Sequence, residues 1–152
     1  MSNWQTDITQ ALADFVTVAK IAGDPIQSSE ITVEFLAAPH QPPSNIPAGK
    51  MAIYGFWWNG MWLKIGQAGP KSTARYINHH YNPNSSNSNL AKSLSHDLLM
   101  KGVPGFNIQS PSQWVKSATC RVNILIPAQR KKELLSLLEA FLHVRLHPRY
   151  EG

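Results

Sequence analysis

The chain reads as an α/β (α+β) protein: a small, mainly antiparallel three-stranded sheet flanked by helices, with a helix-strand extension ahead of it. Three observations predict this. Asn59-Gly60, a strong local hairpin signal, lies between two runs rich in aromatic and aliphatic residues, Met51 to Trp58 and Met61 to Gly66. A further strand-like run, Thr119 to Ile126, comes late in the chain. Amphipathic helical patterns stand near both ends. The 152 residues make one domain's worth of chain, and 43% of them are hydrophobic, enough for a core.

The elements follow in order. Residues 6–22 predict a helix with Ile8, Leu12, Phe15, Val16 and Ala19 on one stripe and Gly23 as the stop. Residues 30–37 alternate like a strand. Pro39 to Pro47 holds four prolines and reads as a connector, so residues 1–49 form an extension that docks on a core of residues 50–152. In the hairpin, a three-residue loop with Gly60 as a bulge pairs Trp57 with Met61 and sets Tyr54 across from Lys64. Ile53, Gly55, Trp57, Met61, Leu63 and Ile65 then fill an apolar face, while Phe56 and Trp62 lie further along the Tyr54 face.

After Gly69-Pro70 a helix starts with Ser72 or Thr73 as N-cap, and Arg75 and His79, four apart, share its face. Tyr81 to Asn89 reads as a polar surface loop or a groove-contacting one, and Leu90 to Lys101 as a helix stopped by Gly102. Gly102 to Ser117 reads as irregular. Pro127 suits the first turn of the last helix, which runs to about Leu146. On that helix Leu134, Leu135, Leu137, Leu138, Phe141, Leu142 and Leu146 form an apolar arc, with Glu139 at its edge. A carboxylate there is half shielded and needs a cation or a hydrogen-bonding partner.

Charge is distributed unevenly. The net charge is +5, but residues 1–49 carry −4 and residues 50–152 carry +9. A polyanion is drawn to the second part by counterion release. Cys120 is the only cysteine, which excludes an internal disulfide framework or a zinc cluster. No apolar run approaches about 20 residues, and the N-terminus starts polar, so the expectation is a cytoplasmic protein without a membrane partner.

Ala52-Ile53-Tyr54, Lys64-Ile65-Gly66, Arg75 with His79, and Glu139 on the last helix together resemble the GIY-YIG endonuclease family. The resemblance covers residues 50–152. Two positions depart from the pattern: Ala52 replaces the first glycine, and Lys64 replaces the second signature tyrosine, as in restriction-enzyme-like members. Glu151 stands where an asparagine often ends the motif.

The resemblance implies a metal-dependent endonuclease acting on DNA. Glu139 would hold one divalent ion, Mg²⁺ or Mn²⁺, with phosphate oxygens and waters completing the shell. Tyr54 would be general base to the attacking water, with Lys64 beside it favouring the phenolate. Arg75 would clamp the phosphate, His79 would position it or assist proton transfer, and His80 is the competing histidine. Gly66 would allow close backbone approach. Lys71, Arg75, His80, Asn82, Asn84 and Lys92 are the candidate DNA contacts. A homodimer or a partner subunit would provide for cutting both strands. The alternatives are a partner-guided nuclease subunit and a nucleic-acid-binding module that has lost catalysis.

Overall fold

A computed structural model of the chain describes residues 3–84 and 89–150. It is mixed α/β with a four-stranded antiparallel sheet in the order β1-β4-β2-β3: β1 is Thr32–Leu36, β2 Lys50–Trp58, β3 Met61–Ala68 and β4 Cys120–Pro127. The expected sheet of three strands gains β1, which pairs with β4 along its whole length, Thr32 opposite Leu125 and Leu36 opposite Arg121. The alternating run at residues 30–37 is therefore the outer strand of the sheet itself. Helix α1, Asn3–Ile21, buries Trp4, Ile8, Ala11, Leu12, Phe15 and Ala19, spaced to share one stripe. They join the β-strand side chains Ile53, Ile65, Val122 and Ile124 and the buried leucines of helix α4, Lys132–Leu146, in one core.

The other face of the sheet carries a second core. Tyr54, Phe56 and Leu63 pack there against Tyr76, Tyr81, Leu90, Leu94 and Trp114. Tyr76 belongs to a short π-helical turn, Arg75–His79. Leu90 and Leu94 belong to α2, Leu90–Ser95, and Trp114 to α3, Pro111–Ala118. The expected helix at Leu90 to Lys101 is two pieces, α2 and a 3₁₀ turn at Leu98–Gly102, because Asp97 caps a new start by accepting the Leu99 N–H. The stretch from Gly102 to Ser117, read as irregular, contains α3, which begins with Pro111 in its first turn. Pro127 ends β4, and the last helix begins later, at Lys132.

The hairpin register differs from the expectation. Asn59 and Gly60 both have positive φ, 48° and 82°, so the loop is two residues and pairs Trp58 with Met61. The unpaired residue lies one step inside the hairpin, at Leu63, between the pairs Trp57–Trp62 and Phe56–Lys64. Tyr54 therefore opposes Gly66, and Lys64 opposes Phe56. Asn tolerates the left-handed region, so the tight turn forms and the bulge moves into the strand. Tyr54 and Lys64 still share a face, as diagonal neighbours. Trp62 and Leu63 exchange sides: Trp62 packs in the α1–α4 core and Leu63 in the other.

Buried polar contacts tie the proline-rich connector to this frame. His40 Nδ1–H donates to the Thr119 carbonyl at 2.8 Å, and its Nε2 accepts from the Tyr81 hydroxyl at 2.8 Å. Among the described residues no helix is long and apolar enough to cross a membrane.

Candidate active site

The edge strand β3 is where the two layers meet. Tyr54 lies on one face of the sheet and α4 on the other, yet one pocket of about 320 Å³ is lined by Tyr54, Lys64, Gly66, Arg75, His80, Glu139 and His143. Gly66 makes this possible. A Cβ on Gly66 would stand 2.6 Å from the Tyr54 hydroxyl oxygen and 2.7 Å from the adjoining ring carbon. With hydrogen there instead, the phenol lies across β3 and reaches its outer margin. On the other side, His143 Nε2–H donates to the Ile65 carbonyl at 3.0 Å and seats α4 against the same strand. Glu139, one turn earlier, has its carboxylate 3.7 Å from His143 Nε2. Gly66 was expected to allow close backbone approach; the group that its missing side chain admits is the Tyr54 ring.

The histidine beside Tyr54 is His80, not His79. His80 is 2% exposed, and its Nε2 lies 2.6 Å from the Tyr54 hydroxyl oxygen. His79 lines a separate cleft with Asn82 and Lys116. The π-helical turn accounts for the exchange. In it five residues rather than four close each hydrogen-bonded ring, so His80, five after Arg75, swings onto the Arg75 side. His80 is consequently too buried to touch DNA.

The tautomer of His80 follows from its partners. The Leu90 N–H donates to Nδ1 at 3.1 Å, so Nδ1 carries no proton. Burial, aided by the charge of Lys64, pushes the imidazole pKa down to about 3, which keeps the ring neutral. The hydrogen is therefore on Nε2 and is donated to the Tyr54 oxygen. His80 favours a Tyr54 phenolate as a donor and does not accept the phenol's proton.

A buried cation lies behind this pair. Arg121 is fully buried, and its guanidinium carbon is 5.2 Å from the Tyr54 ring centroid, 5.2 Å from Phe56 and 4.9 Å from Tyr76. It donates to Asn123 Oδ1 at 2.8 Å, to the Tyr81 hydroxyl at 3.1 Å and to the Tyr76 carbonyl at 2.6 Å. These contacts satisfy a charge that burial would otherwise penalise. The Tyr76 carbonyl bond also fixes the π-helical turn to β4.

Lys64 was expected to bring the Tyr54 pKa down. Burial dominates instead and raises it to about 12, against the opposing charges of Arg75 and Arg121, while Glu139 adds to the rise. The Glu139 carboxyl is also held above its usual range by burial, opposed by His143, Arg75 and Lys64.

Among the described residues no group of three His, Cys, Asp or Glu is placed to hold a metal. The donor set at this pocket is one half-buried carboxylate, since His143 Nε2 is committed to the Ile65 carbonyl. That fits Mg²⁺ or Mn²⁺ in a form that relies on substrate phosphate and water for the remaining ligands, and it does not fit an all-protein cage.

The remaining expected contacts are scattered. Lys71 is exposed beside Arg75 in an adjoining cleft. Asn82 and Asn84 are exposed and form a local turn, in which the Asn84 N–H donates to Asn82 Oδ1 at 2.9 Å. Lys92 is half-buried in the first turn of α2. Positions 85–88 of the polar loop, and Glu151, lie outside the described residues. Arg121 and His143 were not among the expected site residues. A lone cation in the apolar run TCRVNILI was the available signal for Arg121, and the four-residue spacing from Glu139 was the signal for His143.

Compared with known proteins, the chain matches no family model, no curated protein and no solved structure.

Proposed function

We propose that the chain is a metal-dependent endonuclease of GIY-YIG-like fold, in the branch with lysine at the second signature, hydrolysing phosphodiester bonds in DNA in the cytoplasm. The observation that carries this reading is the meeting of Tyr54, Lys64, Arg75 and Glu139, far apart in the chain, around one pocket. Two cations there suit a phosphodiester anion: Arg75 with a planar fork for two oxygens, Lys64 as a point charge. Bound at Glu139, Mg²⁺ or Mn²⁺ would supply Lewis-acid polarisation of the phosphate and offset charge on the leaving oxygen.

The protein's own groups do the rest. Tyr54, ionised once its own proton has passed to solvent, takes the proton of the attacking water. His80 donates to the Tyr54 oxygen throughout, which stabilises the phenolate that water activation requires. Arg121 acts on the same ring from behind. Neutralising Glu139 lifts the one charge that disfavours the phenolate.

A second reading is a nucleic-acid-binding module without catalysis. The observation in its favour is that Tyr54, raised to about 12, is a phenol at neutral pH. Nicking of supercoiled plasmid with and without Mg²⁺ separates the two. Metal-dependent nicking by the purified chain supports the endonuclease. Retained DNA binding with no nicking in Mg²⁺ or Mn²⁺ would leave the binding module.

A further inference from the structure

We propose that the cleft between the Gly69–Ser72 turn and the start of α4 is a second phosphate subsite. It would take a backbone phosphate of the strand whose scissile phosphate sits in the Tyr54 pocket, about three nucleotides away. The proposal rests on the nuclease reading and adds where the substrate strand leaves the pocket.

The cleft has a volume of about 410 Å³, and Lys71, Ser72, Arg75, Arg130 and Lys132 line it. Among the described residues no carboxylate lines it. Gln67 and Arg75 line both this cleft and the Tyr54 pocket, so the two spaces share a wall. Along α4, Lys132 precedes Glu139 by seven residues, or roughly 10 Å at about 1.5 Å of rise per residue. A B-form strand advances about 3.4 Å of axis per nucleotide, which sets the spacing of about three nucleotides.

The lining also says what is read. It offers ammonium and guanidinium groups, a hydroxyl and an amide, and no aromatic ring on which a base could stack. Such a surface holds phosphate and leaves base identity unread. Arg130 contributes little to the attraction, because Glu30 accepts two hydrogen bonds from its Nη2 and Asp24 stands 3.5 Å from its Nη1. The pull comes from Lys71, Arg75 and Lys132. Through Arg130, Glu30 and Asp24 bring part of the acidic N-terminal segment next to the cleft.

The test is binding of a mixed-sequence 30-base-pair duplex in EDTA, followed by fluorescence anisotropy across a salt series. Wild type is compared with Lys71→Ala/Lys132→Ala and with Glu30→Gln. Each neutralised phosphate adds about 0.9 to the slope of log affinity against log salt. The double variant is expected to lose close to one unit of slope, as loss of one phosphate contact requires, and to weaken equally on A·T-rich and G·C-rich duplexes. Glu30→Gln, which releases Arg130, is expected to steepen the slope. A double variant with the wild-type slope, or one whose loss depends on sequence, overturns the subsite. Wild type that binds no duplex overturns the subsite and the nuclease reading together. A normal slope loss beside plasmid that is never nicked overturns the nuclease reading and leaves the phosphate track standing.

Discussion

Gly66 shows how one missing side chain shapes the site. The Tyr54 ring occupies the space that a Cβ at this position would need, with ring and hydroxyl atoms 2.6–2.9 Å away. Tyr54 is 1% exposed and bonded to His80, so it has nowhere to retreat. Gly66→Ala should cost about 1–3 kcal/mol as an overpacked site, measured by urea unfolding, and should lower cleavage more than DNA affinity because the phenol is displaced. Unchanged stability and rate would mean that the ring adjusts freely. Arg75 acts through its charge. The side chain is exposed, packs on no core and borders both clefts. Arg75→Ala should retain the fold and lower single-turnover cleavage by roughly 10²–10³, the cost of one preorganised charge-stabilising group. A loss of only a few-fold would make Arg75 peripheral. At this scale the sequence suggested that Tyr54, Lys64, Arg75 and Glu139 meet, and all four line one pocket, their roles there being a proposal. It was read poorly for the histidine. An α-helical projection favours His79, and only a widened turn brings His80 to the phenol.

The elements show a different balance of legibility. Alternation places Tyr54 with Lys64 on one face and Ile53 with Ile65 on the other, which requires one unpaired residue, but near the turn Met61, Trp62 and Leu63 lie on the faces opposite to those expected. The sequence does not say whether that residue falls at Gly60 or at Leu63, because both sites keep Tyr54 and Lys64 on one side. The N-terminal segment was legible as a helix and a strand, but its place was not, since pairing of β1 with β4 joins residues about 90 positions apart. Its charge is used locally: Glu30 holds Arg130, and Asp14 accepts from Arg145 at 2.7 Å. Its apolar anchor is Trp4, 4% exposed, stacked on Trp57 with centroids 6.2 Å apart and edge-on to Phe35. Trp4→Ala should therefore destabilise the whole chain by about 3–5 kcal/mol in a single urea transition. A loss below about 1 kcal/mol, or a separate early transition, would show that α1 is an independent attachment.

For the whole molecule, buried neutral histidines set the response to acid. His80 is held down to about 3 by burial and neighbouring cations, and burial also lowers His40. Both titrate near 6.5 once unfolded. Below that pH the unfolded chain binds protons that the folded chain refuses, so stability falls with pH, and for His80 the loss continues down to about pH 3. Each pH unit costs up to about 1.4 kcal/mol for a histidine of this kind. The urea midpoint should drop between pH 7 and pH 5, and His80→Gln should flatten the dependence; a pH-independent midpoint would contradict the burial argument. The site's position at a sheet edge, served by helices from both layers, was not legible, because it depends on the strand order. The most direct measurement is metal-dependent plasmid cleavage by Glu139→Ala at DNA concentrations where its measured binding equals that of wild type. Bound but uncut DNA is expected. Cleavage at the wild-type rate would remove Glu139 from the chemistry and contradict the proposed mechanism.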